Sequence, residues 1–230
     1  MLNGKRVVSL TPARGGSKSI PYKNLCDLGG KPLLAWPVDV AFATPEIDEV
    51  FVSTDDEKIG TVAADLGAKI HWRPDELATD SALVVDAVRH FFSQQQQEGK
   101  APDIIVLLEA TSPFRTPEMI LNCLRRMLDE ELDSIATFHS AEINPERCWK
   151  IEQGIPKPFI DGAIPWKPRQ ELSAAYQLNG AVYAFRADRL PTNGPNILFG
   201  KIGAEIISKD KVIDIDDRKD LIIANAILES

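Results

Sequence analysis

The run Asp103-Ile-Ile-Val-Leu-Leu-Glu109 is apolar at every position between its two acids. A half-buried strand alternates apolar and polar residues, whereas a strand apolar throughout is covered on both faces. A sheet covered on both sides needs a layer of helices over each, and the flanking sequence supplies them. Arg6-Val-Val-Ser-Leu10 and Glu49-Val-Phe-Val-Ser-Thr54 read as further strands. Ile59, Val62, Ala63 and Leu66 recur at helical spacing, as do Val84, Val88, Phe91 and Phe92, whose helix runs into a solvated end at Gln94 to Gln97. Thr116 and Pro117 supply an N-cap and an N1 proline for a helix carrying Ile120, Leu121, Leu124, Met127 and Leu128. Pro37 interrupts the helical stretch Leu33 to Ala43, so that helix starts late or is irregular. The expected class is α/β, with a mostly parallel sheet and helices on both faces.

A length of 230 residues suits one domain, 1–230, large enough for a sizeable core. The 26 basic against 34 acidic side chains leave a net charge of −8, which argues against a general binder of nucleic acid or of anionic lipid. Cys26, Cys123 and Cys148 are odd in number and unpatterned, as in a reducing compartment without a zinc site. The start Met1-Leu-Asn-Gly-Lys-Arg6 has no apolar leader region and no later run approaches a membrane span, so a cytoplasmic protein is expected.

Against that acidic background, three cations gather on one loop. The stretch Leu10-Thr-Pro-Ala-Arg-Gly-Gly-Ser-Lys-Ser-Ile-Pro-Tyr-Lys-Asn24 follows the first strand and precedes the apolar segment from Leu33. Strand, glycine-bearing loop and helix in succession present backbone N–H groups to an anion. Gly15 and Gly16 permit close approach, Arg14, Lys18 and Lys23 supply charge, and Ser17 and Asn24 add neutral hydrogen-bonding groups. The loop reads as a triphosphate cradle or as a basic surface loop. It contains neither G-x-x-x-x-G-K-[ST] nor G-x-G-x-x-G.

Other constellations carry chemistry further along. In Val212-Ile-Asp-Ile-Asp216 the apolar and acidic residues alternate, so Asp214 and Asp216 share one face of a strand with Cα atoms roughly 6.6 Å apart. Such a pair can hold Mg²⁺; equally, Asp216 or Asp217 can cap the final helix with Asp220 in its first turn. Thr111 and Ser112 follow the buried strand at its carboxyl end, where open α/β sheets bind ligands, or merely form a turn. Thr79 or Asp80 suits a helix N-cap, with Arg73 a surface arginine, and Asp55, at the end of a strand, suits the cap of the helix that follows it or a second metal contact. His71, His90 and His139 form no nucleophilic or metal-ligating pattern and are assigned to structure or surface. Residues 139–179 break the alternation with Pro145, Pro156, Pro158, Pro165 and Pro168, as expected of a lid or a subunit contact.

Pro12-Ala-Arg-Gly-Gly-Ser-Lys18 with Ile20 and Lys23-Asn24 closely resembles the opening motif of the CMP-sialic acid synthetases (acylneuraminate cytidylyltransferases), with Ser19 at the position of the usual glycine. The resemblance continues in order through Arg73-Pro74 with Leu77-Ala-Thr-Asp80, Glu109-Ala-Thr-Ser-Pro-Phe-Arg115, Pro168-Arg-Gln170 with Asn179-Gly180, and the acidic pair. It implies a Rossmann-like nucleotidyltransferase sheet with a projecting dimerisation arm at 139–179. It also implies transfer of CMP from CTP to the anomeric hydroxyl of a sialic-acid-like 2-keto sugar acid, with pyrophosphate released. Ala13, Arg14, Gly15, Ser17, Lys18, Lys23, Asn24, Arg73 and Asp80 would then meet the nucleotide. Asp214 and Asp216 would hold Mg²⁺, and these two with Arg14, Lys18 and Lys23 would serve catalysis. Glu109, Thr111, Ser112, Arg147, Arg169, Gln170 and Asn179 would meet the sugar, Arg169 as a fork for its carboxylate, with Arg147 arriving from the opposite subunit of a homodimer. The resembling motif carries Gln-Pro where this chain has Glu109-Ala110, and a carboxylate cannot donate as an amide does. The acceptor then offers a donor group, such as an amine, or differs from ordinary sialic acid. No residue stands out as general base, which leaves metal-assisted deprotonation of the hydroxyl. Two rivals remain: a sibling nucleotidyltransferase acting on another sugar, Kdo among them, and a non-catalytic sugar-nucleotide-binding protein.

Overall fold

A computed structural model of the chain describes residues 2–209 and 212–229; Met1, Asp210, Lys211 and Ser230, which the sequence reading counts within one domain, lie outside the described residues. The central sheet has seven strands. Four run in parallel as expected: β1 (Val7–Pro12), β4 (Glu49–Thr54), β5 (Lys69–Trp72) and β6 (Ile104–Leu107). The short strands β2 (Asp27–Leu28) and β3 (Lys31–Pro32) form a separate hairpin. Across the sheet the order is β5-β4-β1-β6-β10-β7-β11, with β7 (Ser134–Ser140), β10 (Tyr176–Arg186) and β11 (Ile202–Ile206) completing it.

The sheet departs from parallel at one place: β10 is antiparallel to both β6 and β7. A parallel neighbour needs a crossover connection, usually helical, whereas antiparallel strands join directly. Between β7 and β10 no α-helix forms, so the chain returns beside its own outward strand.

Helices α1 (Ala35–Phe42), α2 (Glu57–Asp65) and α4 (Pro117–Asp129) cover one face, packing Val38, Ile59, Ala63, Ile120 and Leu124 onto Val7, Val52, Ile104 and Val106. Helix α3 (Val84–Gln97) covers the other, with Val88 and Phe91 against Val8, Leu10, Ile105 and Leu107. The alternate residues of β1 and β6 thus feed two cores, which is why Ile104 to Leu107 are all apolar. Pro37 falls in the first turn of α1, where its missing N–H needs no intrahelical partner. Thr116 caps α4 through the Met119 N–H at 3.4 Å. The final helix, α5 (Arg218–Leu228), is capped by Asp217 in a reciprocal box with Asp220. That settles the capping of α5 on Asp217 and leaves the Asp216 carboxylate free of it.

The excursion between β7 and β10 is narrower than 139–179, because both strands extend into it: Tyr176 pairs with Ser140, and one residue further Ala141 N donates to the Ala175 carbonyl at 2.9 Å. Within it a hairpin of β8 (Trp149–Glu152) and β9 (Ile155–Pro158) turns at Gln153 and Gly154, both at positive φ. Ile151, Phe159 and Trp166 are 65%, 63% and 81% exposed.

Candidate active site

The carboxyl ends of β1, β4, β5 and β6 share one edge of the sheet. Strand order reverses between β1 and β6, and ligands of open α/β sheets sit outside such a switch point. A cleft of about 320 Å³ opens there, within the range of small-molecule sites. Its walls carry Arg14, Asn24, Arg73, Asp80, Glu109 and Asp214, six residues drawn from four separated parts of the chain.

The loop after β1 differs from the expected strand–loop–helix cradle. It leads into a single 3₁₀ turn (Lys23–Leu25) and the β2–β3 hairpin, so no helix N-terminus follows it; α1 begins only at Ala35. The loop is held by the sheet instead. Ala13 is buried and donates its N–H to the Ser53 carbonyl at 2.8 Å, and Gly15 N donates to Asp55 Oδ1 at 3.2 Å. A Cβ on Gly15 would stand 2.7 Å from Asp56 Oδ2, so only glycine fits that approach. Asp56, not Asp55, caps α2 by accepting from Lys58 N and Ile59 N, which corrects the assignment of the cap to Asp55. Asn24 is buried and donates through Nδ2 to the Arg14 carbonyl at 3.0 Å, fixing the loop's two ends together.

Arg14 and Lys18 reach across the cleft mouth to Asp80, at 3.1 and 2.7 Å, and Arg14 Nη1 also donates to the Thr79 carbonyl at 2.5 Å. The hydrogen bond from Lys18 and the neighbouring charges lower the Asp80 pKa. Neither Thr79 nor Asp80 caps a helix: the residue before α3 is Leu83, with no side-chain cap. Arg73 is buried, not a surface arginine, and its Nη2 lies 3.8 Å from Asp55 Oδ1. Among the described residues its Nε has no hydrogen-bond partner, and burial lowers its pKa. A buried guanidinium short of partners on a cleft wall is suited to a ligand's acceptor atom. Ser17 lies half-buried on the loop between Gly16 and Lys18.

Lys23 is placed differently from the expectation of a third cradle cation. Its Nζ donates to the Ile215 carbonyl at 3.0 Å and lies 3.4 Å from Asp216 Oδ1. The segment 212–216 that it holds is not a strand, yet the alternation persists: Ile215 is fully buried and Ile213 packs beside it, while Asp214 and Asp216 face the cleft. Ile215 N donates to the Thr111 carbonyl at 2.8 Å, and the Thr111 side chain hydrogen-bonds to Asp214. Burial, then the Asp216 charge, raise the Asp214 pKa against the lowering effect of that bond and of Lys23. Two carboxylates compensated by one lysine fit a divalent cation, which takes oxygen ligands and completes its shell with phosphate and water. Among the described residues no cluster of three or more His, Cys, Asp or Glu side chains suits a metal, so any cation here would draw on substrate oxygens.

Glu109 forms the floor. Burial, then the nearby Asp214 charge, push its pKa up to about 7 in spite of Arg115. Arg115 is buried and donates to the carbonyls of Glu109, Gly180 and Ala181, with its pKa brought down by burial to about 9. Gly180 has φ +68°, and a Cβ there would lie 2.8 Å from Glu109 Oε2 and 2.9 Å from Ser112 Oγ. Ser112 is buried and donates to the Asn179 carbonyl at 2.7 Å, so its hydroxyl ties β6 to β10. Asn179 Oδ1 accepts from Thr137 and from Ala181 N, while among the described residues its buried Nδ2 has no partner.

Arg147 and Arg169 stand apart from the cleft. Both line one cavity of about 480 Å³ at the base of the excursion, with Glu142, Asn144 and Tyr176 on its wall. Gln170 is exposed beside them in the turn Arg169–Glu171. The structure thus groups Arg147 with Arg169, where the sequence reading divides them between two subunits' contributions.

Sequence reasoning passed over Arg115. Arg115 belongs to a quoted motif, but only the fold shows it buried under Glu109. The histidines are likewise more organised than expected: His71 is buried, bonded to Ser53 Oγ at 2.9 Å and to His90 Nδ1 at 2.8 Å. Burial brings the His71 pKa down to about 4, so the neutral imidazole links β4, β5 and α3.

A doubly covered sheet with a loop, a buried arginine and an acidic pair at its switch point defines a nucleotide-binding α/β protein. The cytidylyltransferase family profile matches residues 8–193, and the chain belongs to that family. It is 33% identical to the CMP-N,N'-diacetyllegionaminic acid synthase of Legionella pneumophila over 82% of this chain and 81% of that protein. It is 30% identical to the N-acylneuraminate cytidylyltransferase of Escherichia coli over 96% of this chain and 52% of that protein. The chain spans about half the length of several such relatives, 51% in Streptococcus agalactiae. Among solved structures, CMP:2-keto-3-deoxy-manno-octonic acid synthetase complexed with CTP superposes with a TM-score of 0.73 at 20% identity, over 97% of this chain and 98% of that one. No helix among the described residues is long and apolar enough to cross a membrane.

Proposed function

We propose that this chain, as one nucleotidyltransferase domain, transfers CMP from CTP to the anomeric hydroxyl of a sialic-acid-like 2-keto sugar acid, releasing pyrophosphate. The observation that carries the reading is the cleft itself, which is lined by Arg14, the buried Arg73, Asp214 and Asp216, with Lys18 joined to Asp80 at its mouth. The names of the relatives support the choice of nucleotide and of acceptor class.

The hydroxyl oxygen attacks the α-phosphorus as the bond to pyrophosphate breaks. The chain's part is to position two anions and to neutralise charge that gathers on the leaving group. Arg14 and Lys18 exchange Asp80 for triphosphate oxygens. Arg73 and Asn24 hold the nucleoside end, and Glu109 with the β10 turn receives the sugar. Asp214 and Asp216 would hold Mg²⁺, which when bound draws charge from the phosphate oxygens. Arg147 and Arg169 lie on an arm whose exposed Trp166, Phe159 and Ile151 call for a partner surface, and we assign that partner to a second copy of the chain. The arm then carries both arginines to the sugar carboxylate in the partner's cleft. The three free cysteines accord with a cytoplasmic setting.

The test is pyrophosphate release with CTP, Mg²⁺ and a panel of 2-keto sugar acids, repeated with ATP, GTP and UTP. Release that requires both CTP and a sugar acid of this class is expected. No release with any of them, or equal release with every nucleotide, would refute the proposal.

A further inference from the structure

The acidic segment is held by side chains and single bonds rather than by the sheet. Residues 212–216 belong to no strand of the sheet, so no ladder of backbone hydrogen bonds sets their position. Their anchors are Ile213 and Ile215 in a small cluster with Leu28, Leu33 and Ala224, the bond from Ile215 N to the Thr111 carbonyl, the Thr111 side chain on Asp214, the bond from Asp216 N to Asp220 Oδ2 at 3.0 Å, and two side chains of the loop after β1. One is Lys23, on the Ile215 carbonyl and the Asp216 carboxylate. The other is Ser19, whose Oγ donates to the Asp216 carbonyl at 2.5 Å. Ser19 lies one residue beyond Lys18, which faces the cleft mouth.

Resting on the reading of Asp214 and Asp216 as the cation-holding pair, we infer that Ser19 is a positioning residue, a latch that couples the phosphate-side loop to that pair. Its hydroxyl touches neither substrate nor cation. It fixes the backbone of Asp216, and through one carbonyl it transmits the setting of the loop to the carboxylate at the same residue. When Arg14 and Lys18 leave Asp80 for a triphosphate, Ser19 and Lys23 carry the loop's new position to the 214–216 segment. Nucleotide and divalent cation then reinforce one another's binding beyond their direct contact, and such coupling is reciprocal. A lysine at Lys23 would hold the segment's charge, but a flexible ammonium does not set a backbone angle; the short serine does.

The test uses the full chain and Mn²⁺ as a spectroscopic stand-in for magnesium. Free Mn²⁺ is followed by electron paramagnetic resonance during titration of nucleotide-free protein, so binding is read without turnover. Ser19→Ala should raise the Mn²⁺ dissociation constant by roughly three- to tenfold, the worth of one hydrogen bond. It should leave CTP binding in EDTA within about twofold and thermal unfolding unaltered. In turnover, the metal concentration for half-maximal rate should rise in step while KM for the sugar acid stays, and Ser19→Thr, which keeps the hydroxyl, should recover most of the loss. Amide exchange at Ile215 should quicken in Ser19→Ala, because its bond to Thr111 loses the neighbouring brace. Mn²⁺ binding unaltered by Ser19→Ala but abolished by Asp216→Asn would overturn the latch and leave the acidic pair standing as the metal site. Mn²⁺ binding unaltered by both would overturn the latch and the metal reading together. A loss in Ser19→Ala that Ser19→Thr fails to recover would also count against it, since the hydroxyl would not be the cause.

Discussion

Replacing Glu109 by glutamine should stabilise the protein, and more so as the pH rises. The Glu109 carboxyl titrates near 7 in the folded chain against an ordinary value of 4.5, because it is buried and faces Asp214. A raised carboxyl pKa means that the folded state binds more protons than the unfolded one, so stability falls as the pH increases through that window. Below about pH 4.5 both states hold the proton and the cost is absent; above about pH 7 it is fully present. A displacement of about 2.5 units corresponds to about 3 kcal/mol at the alkaline limit. Glutamine has the same shape and no charge, so Glu109→Gln removes this cost. The gain should be about 2.5 kcal/mol larger at pH 8.5 than at pH 5, or a further rise in Tm of roughly 5–10 °C for a chain of this size. The assay is urea unfolding of both proteins in EDTA across that range, because a cation on Asp214 would itself relieve the repulsion. A gain that does not vary with pH, or no gain at all, would refute the reasoning and return Glu109 to an ordinary solvated carboxylate.

Asp216→Asn should remove most turnover while leaving thermal unfolding within about 1 kcal/mol, since Asp217 and Asp220 cap α5 and the Lys23–Asp216 pair is mostly exposed on its acidic side. Full turnover in that variant at any magnesium concentration would return Asp216 to a structural role. Arg14→Ala should weaken CTP roughly tenfold or more by calorimetry, the loss of a charge-assisted bond less the contact to Asp80 that CTP must displace. An unchanged dissociation constant would mean that Arg14 serves only the turn at Thr79. Because Arg147 and Arg169 line one cavity, a mixture of Arg147→Ala and Arg169→Ala subunits should repair nothing; the informative pair is Arg147→Ala with Asp216→Asn. If an arm completes its partner's cleft, random co-expressed dimers should regain about a quarter of wild-type activity, since half are mixed and each mixed dimer has one intact site. A monomer by light scattering, or no recovery, would exclude the shared site.

What the sequence alone determined is whatever depends on neighbours within one or two turns. The unbroken apolar run at Ile104 to Leu107 demanded two covering layers, and both are present in the separate cores of β1 and β6. Thr116-Pro117 started α4, and the alternation of Val212 to Asp216 set isoleucines inward and carboxylates outward without a strand to enforce it. Tertiary structure decided everything that turns on a contact between distant residues. Asp55 and Asp56 are adjacent and chemically identical, yet one caps α2 and the other holds Gly15 N, because β4 ends beside the loop of β1. Lys23 sits on the same loop as Arg14 and Lys18 but meets the acidic segment 192 residues away. Thr79 and Asp80 resemble a cap and instead bridge the cleft mouth, since two cations face them across it. The direction of β10 followed from the missing crossover helix, an absence legible in the sequence once it is asked for. The raised pKa of Glu109 was not legible at all: it arises from burial over Arg115 and from a carboxylate brought back by the last segment of the chain, and no local pattern records either.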